Sequence, residues 1–262
     1  MGIVNNTPDS FSGDGTGGDT DAAIRRGLQM FKDGADIIDV GGESTRPGAE
    51  LVPERIELVR TIPVVEALSA ARPGRVSIDT MKPVIAEAAL FSGASIINDV
   101  SGLRSKGMIE IVAEHDASVI IMHMLGEPKT MQVSPRYKDV VDDIKEFLKG
   151  RVSQAEEAGV NPRKIMVDPG IGFGKTVSHN VEILARLREF KTLGKPIVVG
   201  VSRKSFISNL TGMDPDKRVE GSIAAAVLAV REGANIVRVH DVAETARALR
   251  VADAILSATP PH

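Results

Sequence analysis

The sequence contains no cysteine and no tryptophan, and it has a single tyrosine among 262 residues. Without cysteine the chain can form neither disulfides nor zinc–thiolate sites, and it cannot use a thiolate as a nucleophile. No apolar run approaches the roughly 18 residues of a membrane span. The N-terminus also lacks the basic segment and long apolar core of a signal peptide. We therefore expect a cytoplasmic protein with no membrane partner.

A basic excess is missing as well. Lys and Arg together number 32 against 35 Asp and Glu, which gives a net charge of −3. Because proteins that bind nucleic acids usually carry an excess of positive charge, we expect no nucleic-acid partner. The hydrophobic fraction of 42% is ordinary for a globular chain and sufficient for a large core. The length suits one α/β barrel or two smaller domains.

Short apolar runs alternate with helical segments along the chain. The predicted strands are residues 2–5, 36–40, 76–79, 95–99, 118–123, 165–168, 197–201 and 235–240. Several are continuously apolar, which is typical of strands buried on both faces of a parallel sheet. The predicted helices are residues 19–32, 54–71, 83–91, 108–115, 137–157, 181–192, 217–232 and 242–256, and Pro63 is expected to end or bend the second. This alternation, in the α/β class, predicts a (β/α)8 TIM barrel, whose usual size is about 250 residues.

A weak internal repeat supports the barrel. Glycine, alanine and then β-branched residues recur at 34–38, 93–97 and 233–237. No linker rich in Pro, Ser or Gly divides the chain, so we predict a single domain over residues 1–262. Within it, residues from about 9 to 18 are expected to form a mobile loop. Residues from about 258 to 262 are expected to form a frayed tail.

Nearly every predicted strand ends in polar residues, and in this fold the site lies at the C-terminal ends of the strands. A deep set, Asp79, Asn98 and Asp168, places two carboxyl groups and an amide at three of these ends. This set suits a planar heterocycle with several N–H donors, because a guanidine-like edge pairs with a carboxylate through two hydrogen bonds. The alternative is that the three side chains cap neighbouring helices or bind one another.

Cations follow other strands and form what we call the cationic rim: Arg46, Arg203, Lys204, Arg238 and His240. Together they would bind an anion, with helix N-termini adding backbone donors. For any one of them the alternative is a solvated surface charge. Asn5 either offers a carbonyl oxygen to Mg²⁺ or forms a turn before residues 7–9. His123, between two methionines, is interpreted as a packed residue at the edge of the core.

The stretch from Asp168 to Lys175, which we call the Asp168 loop, is the most distinctive. Pro169 disfavours helix at Asp168. Glycines at 170, 172 and 174 then allow the backbone to approach a ligand closely.

Five runs together resemble the signature motifs of the bacterial dihydropteroate synthases. They are residues 5–12, 41–48, 168–175, 202–205 and 238–241, in order and with the spacing intact. The resemblance spans essentially the whole chain. It implies a transferase of folate biosynthesis that joins 6-hydroxymethyl-7,8-dihydropterin diphosphate to 4-aminobenzoate, releasing diphosphate and 7,8-dihydropteroate. It also implies Mg²⁺ as cofactor, a homodimer, and sulfonamides as mimics of 4-aminobenzoate.

The resemblance further implies a role for individual residues. Asp79, Asn98, Asp168 and Lys204 would hold the pterin, Met122 and Phe173 would flank its ring, and Asn5, Arg46, Arg238 and His240 would hold diphosphate and Mg²⁺. Thr45, Pro47, Phe173, Lys204 and Ser205 would form the aminobenzoate pocket, with Gly200 and Arg203 completing the substrate-binding set. The catalytic group would be Asp79, Asp168, Lys204, Arg238 and His240, and Asn5 would be the metal ligand.

Three features depart from the family pattern. Asn6 replaces a usually apolar residue, residues 13–18 differ from the usual run, and the sequence begins at the first strand rather than at a leading hairpin. The last feature leaves open how the barrel bottom is sealed. Two other functions remain: a pterin-dependent methyltransferase acting on a corrinoid protein, and a protein that binds a pterin without turnover.

Overall fold

A computed structural model describes residues 1–7, 18–45 and 48–258. Its strands are β1 Gly2–Asn5, β2 Ile38–Gly41, β3 Val76–Asp79, β4 Ile96–Asp99, β5 Ser118–Met122, β6 Ile165–Asp168, β7 Val198–Gly200 and β8 Ile236–Arg238. Its helices are α1 Thr20–Lys32, α2 Glu54–Ala71, α3 Pro83–Phe91, α4 Met108–Glu114, α5 Val140–Glu157, α6 Val177–Ala185, α7 Ser205–Thr211, α8 Val219–Arg231 and α9 Val242–Ser257. Short 3₁₀ turns cover Pro162–Lys164, Leu187–Leu193 and Pro215–Lys217.

The strands follow chain order and all their pairings are parallel. β1 to β6 form one six-stranded sheet, and β7 pairs with β8. Single bridges join these two parts, Val167 to Ile197 at one seam and Gly2 to Val239 at the other. At the second seam the Ile3 N–H donates to the Val239 carbonyl at 3.0 Å. The predicted (β/α)8 architecture is confirmed, although the ladder at both seams is reduced to a bridge beside the two shortest strands.

Burial explains the apolar strand sequences. Ile38, Ile78, Ile97 and Ile121 are fully buried in the main core, together with helix side chains such as Leu68. Strands covered on both faces need apolar residues at successive positions, which is the pattern seen. Within the described residues, none of the helices is both long enough and apolar enough to cross a membrane.

α2 runs from Glu54 to Ala71 as predicted, so Pro63 does not end it. Other predicted boundaries need correction. The helix predicted for residues 181–192 is instead α6, beginning at Val177, followed by the 3₁₀ turn Leu187–Leu193. α7 was not predicted; it is a seven-residue helix directly after the Ser-Arg-Lys run. The predicted mobile loop lies outside the described residues except for Gly18, as does the predicted tail except for Ala258.

Candidate active site

The sheet register brings the predicted polar residues to one end of the barrel. Asp79 lies opposite Asn98 across β3 and β4, and Met122 lies opposite Asp168 across β5 and β6. On the other side Gly200 lies opposite Arg238. Because the strands are parallel and in register, residues that are distant in sequence converge at their C-terminal ends.

Arg238 connects the deep residues through two short ion pairs. Its Nε donates to Asp39 Oδ2 and its Nη2 to Asp79 Oδ2, each at 2.5 Å. Asn98 Nδ2 donates to the same Asp39 oxygen at 2.9 Å. Asp39 was not singled out from the sequence, although a carboxylate inside the apolar run of residues 37–40 was the available signal. It is fully buried and fixes both the guanidinium and the amide.

Two carboxylate oxygens in this group are left open. Oδ1 of Asp39 and Oδ1 of Asp79 are buried and have no hydrogen-bond partner among the described residues. Burial raises the pKa of Asp79 to about 7, although Arg238 opposes that shift. An acceptor that is buried without a partner is costly, so these oxygens favour a ligand that brings N–H donors to them.

The Asp168 loop depends on its glycines. Asp168 Oδ1 accepts from the Gly170 N–H at 2.7 Å. Gly170 has φ +70°, and a Cβ there would lie 1.9 Å from the His123 carbonyl oxygen. Only glycine fits that approach, which brings the loop back against the end of β5. Burial raises the pKa of Asp168, with Lys204 opposing the shift.

Lys204 links the Asp168 loop to β7. Its Nζ donates to the Ile171 carbonyl and lies 4.6 Å from the centroid of the Phe173 ring. Burial lowers the pKa of Lys204 to about 8, and the charge of Asp168 partly restores it. A Cβ at Gly200 would lie 3.8 Å from Lys204 Nζ, which is an ordinary contact and places Gly200 beside the amine.

Methionines form an apolar wall beside these charges. Met122, Met124, Met131 and Val100 are a buried cluster separate from the main core, with Met81 and Phe173 packed against it. Methionine adapts its shape and makes favourable contacts with aromatic groups. The predicted pair Met122 and Phe173 is therefore brought together, as a surface on which a flat ring can lie.

Beneath that wall lies a pair that sequence reasoning did not connect. Lys175 Nζ lies 3.0 Å from His123 Nδ1 and donates to the Phe173 carbonyl at 2.9 Å. Burial is the main cause of the low pKa of both groups, lowering that of His123 to about 2. The packed interpretation of His123 agrees with its edge contact to the Phe147 ring, at 5.0 Å between centroids.

The outer predicted residues are less tightly gathered. His240 Nδ1 lies 3.0 Å from Ser202 Oγ, and the Arg203 guanidinium binds the Asp241 carboxylate at 2.5 and 3.0 Å. Ser205 is exposed at the first position of α7. Thr45 is partly exposed in the loop after β2, while Arg46 and Pro47 lie outside the described residues.

The residues available to a metal are sparse. Among the described residues there is no group of three or more His, Cys, Asp or Glu side chains that could hold an ion. Asn5 ends β1 and is paired with Gly41 at the end of β2. A Cβ added to Gly41 would lie 3.3 Å from Asn5 Oδ1 and 3.6 Å from Asp79 Cβ, so Gly41 separates the two side chains. Mg²⁺ commonly takes only one or two protein oxygens and fills its shell with water and substrate phosphates. A single amide oxygen at this position therefore fits Mg²⁺ carried by a phosphorylated substrate.

Known proteins share this sequence and architecture. Residues 1–240 match the model of the pterin binding enzyme family. The dihydropteroate synthase of Escherichia coli K12 is 48% identical over 258 residues, covering 98% of this chain and 92% of that protein. That of Synechocystis is 45% identical, covering 97% of this chain and 89% of that protein.

Solved structures agree with these relatives. The Yersinia pestis dihydropteroate synthase in a sulfonamide complex superposes with a TM-score of 0.96 at 44% identity, covering 98% of this chain and 94% of that one. The Xanthomonas albilineans dihydropteroate synthase with 4-aminobenzoic acid gives 0.91 at 47% identity, covering 99% and 93%. The same enzyme with 7,8-dihydropteroate gives 0.88 at 44% identity, covering 99% and 94%.

Proposed function

The chain belongs to the pterin-binding enzyme family and is a transferase of the dihydropteroate synthase type, and we propose that its barrel mouth condenses 6-hydroxymethyl-7,8-dihydropterin diphosphate with 4-aminobenzoate. One observation carries the assignment of residues. Buried, unpartnered carboxylate oxygens at Asp79 and Asp39 lie beside the partly buried guanidinium of Arg238, and the apolar methionine wall lies at the same end of the barrel. A pterin supplies what this arrangement lacks, since its aminopyrimidine edge presents several N–H donors on a flat ring.

The pterin is held from three sides. Asp79 and Asp168 accept from its N–H groups, and Asn98, fixed by Asp39, offers its amide. Charge-assisted hydrogen bonds of this kind are about twice as strong as neutral ones. Met122 and Phe173 flank the ring, and Lys204 reaches the pocket above Phe173.

The reaction moves the pterin methylene carbon from oxygen to nitrogen. The carbon–oxygen bond to diphosphate breaks and its electron pair leaves with the diphosphate. The amine of 4-aminobenzoate forms the new carbon–nitrogen bond, and that nitrogen then releases a proton to solvent. A neutral aniline attacks without prior deprotonation, so no dedicated general base is required.

The site residues stabilise the charges that develop in this step. Positive charge builds on the pterin, where the carboxylates of Asp79 and Asp168 lie. Negative charge builds on the leaving diphosphate, which Arg238, His240 and Arg46 bind. Preorganised charges at the places where charge develops are usually the largest single contribution to catalysis. Mg²⁺, held in part by Asn5, would supply further neutralisation of the diphosphate.

The second substrate occupies the outer part of the mouth. Thr45, Pro47 and Ser205 would line its pocket, with Lys204 and Phe173 shared between the two substrates. The exposure of Ser205 at the start of α7 supports this assignment, because a carboxylate can reach an exposed hydroxyl.

We also propose that the protein is a homodimer and acts in the cytoplasm. α8 and α9 pack against each other and carry large apolar side chains that are more than half exposed, at Leu228, Val251 and Ile255. Exposed apolar surface on adjacent helices is typical of a protein interface. Sedimentation equilibrium would test this: charged substitutions at Val251 and Ile255 should yield a monomer, and a wild-type monomer would refute the proposal.

A coupled assay for diphosphate release tests the proposed function. Release that requires both the pterin diphosphate and 4-aminobenzoate is the expected result. The methyltransferase alternative predicts no release, and a pterin-binding protein without turnover predicts binding alone. Either of those outcomes would overturn the assignment.

A further inference from the structure

A buried cluster of charges lies beneath the loop that follows β2. Lys82 Nζ donates to Glu43 Oε2 at 2.7 Å and to Glu57 Oε2 at 2.6 Å. The side chains of Glu43 and Glu57 are 6% and 0% exposed, and that of Lys82 is 18% exposed. Burial raises the pKa of Glu57, and the hydrogen bond from Lys82 partly opposes that rise. Two buried carboxylates that share one partly exposed lysine are costly to assemble, which calls for an explanation.

The cluster joins the two ends of the segment 44–51. Lys82 Nζ also donates to the Val52 carbonyl at 2.6 Å, and the Val52 N–H donates to Glu43 Oε1 at 2.8 Å. Residues 43 and 52 are therefore tied to one another and to the same amine.

The same cluster reaches the strand that carries Asp79. Thr80 Oγ1 donates to Glu57 Oε1 at 2.7 Å, and the Lys82 N–H donates to Thr80 Oγ1 at 3.2 Å. Thr80 directly follows Asp79, and its own N–H donates to the Asn98 carbonyl at 3.1 Å. An unbroken set of hydrogen bonds thus runs from the pterin-binding strands to both flanks of the segment 44–51.

We propose that Lys82 is a positioning residue that holds Glu43 and Val52, and with them the neighbouring Thr45, in place relative to the pterin pocket. This inference rests on the proposed function, in which Thr45 belongs to the aminobenzoate pocket while Asp79 holds the pterin. Lys82 is assigned to neither substrate pocket. Its loss should therefore raise the KM for 4-aminobenzoate and leave the KM for the pterin diphosphate nearly unchanged, because Asp79 and Asn98 keep their other partners.

The test measures both KM values in Lys82→Met, Lys82→Arg and Glu43→Gln. Displacement of a substrate-binding group by about 1 Å can cost orders of magnitude in rate, so we expect about a tenfold rise in the aminobenzoate KM for Lys82→Met. Lys82→Arg keeps the charge, so its aminobenzoate KM should rise less than that of Lys82→Met. Glu43→Gln keeps the shape of the side chain and should give a smaller rise in the aminobenzoate KM. If Lys82→Met does not fold, Glu43→Gln provides the test by itself.

Arg186→Met is the matched control. Arg186 likewise binds several carboxylates, those of Asp139, Glu182 and Glu189, but it lies near α5 and α6, away from β2 and β3. Its loss should leave the ratio of the two KM values at the wild-type value. Equal changes in both KM values for the Lys82 and Glu43 variants, or none, would overturn the inference. Absence of product with the wild-type chain would instead refute the proposed function.

Discussion

Asp79→Asn tests the assignment of the pterin pocket most sharply. Asparagine keeps the shape of the side chain but removes the negative charge that pairs with Arg238 at 2.5 Å and leaves a weaker acceptor at the open Oδ1 position. Hydrogen bonds to charged groups contribute about 1.5–3 kcal/mol each. Pterin diphosphate should therefore bind about ten- to 150-fold more weakly.

Isothermal titration calorimetry with the pterin diphosphate measures this change. Asp168→Asn should behave similarly, since that carboxylate is the second charged acceptor in the pocket. Asp142→Asn, at a side chain that is 63% exposed on α5, is the matched control and should bind as the wild type does. Unchanged affinity in both pocket variants would refute the reasoning.

The same variant should alter the dependence of stability on pH. Burial raises the pKa of Asp79 from 3.8 to about 7, so the native state holds a proton that the unfolded chain releases between about pH 4 and 7. The stabilisation this proton provides is present below about pH 4 and is lost as the pH rises through about 7. Urea unfolding should show the wild type losing stability relative to Asp79→Asn across that window. Parallel stability curves for the two proteins would contradict it.

Three further predictions follow from the site. The pKa of Asp79 is about 7 and that of Lys204 about 8, so a plot of kcat/KM against pH should be bell-shaped with a narrow maximum between these values. Lys204→Arg should flatten the basic limb of this plot. A flat wild-type profile from pH 6 to 9 would contradict the prediction. Gly170→Ala should lower the free energy of unfolding, measured in urea, by at least about 1–3 kcal/mol. Gly150→Ala is the control at an open helical position and should leave that free energy unchanged or raise it. Equal effects of the two substitutions would contradict the close approach of Gly170 to the His123 carbonyl. Titration should show 4-aminobenzoate binding poorly to the free protein and more tightly with Mg²⁺ and diphosphate, with the coupling weakened in Arg238→Ala; tight binding without diphosphate would refute ordered binding.

The sequence predicted which polar residues meet at one end of the barrel, because that prediction depends on a local rule. A polar residue at the end of a buried strand stands out, and parallel strands bring such ends together. Asp79, Asn98, Asp168 and Arg238 could all be found in this way, and the structure brings them together as the register requires. Their individual roles came from the resemblance rather than from the strand pattern.

What the sequence did not predict depends on tertiary packing. Asp39 lies within an apolar strand, and only the fold shows that its carboxylate holds Arg238 and Asn98. Lys82, which precedes α3, and Glu57 in α2 are ordinary charges in the sequence, and only the fold shows that they form an ion pair. α7 escaped prediction because a seven-residue helix offers too few residues for an apolar period to be recognised.

A crystal structure with bound 7,8-dihydropteroate would test the central claim most directly. The account predicts that pterin N–H groups lie within hydrogen-bonding distance of the Asp79 and Asp168 carboxylates, with Asp79 Oδ1 no longer unpartnered. The ring should rest between Met122 and Phe173. A pterin bound away from these carboxylates, with Asp79 Oδ1 still open, would contradict the account.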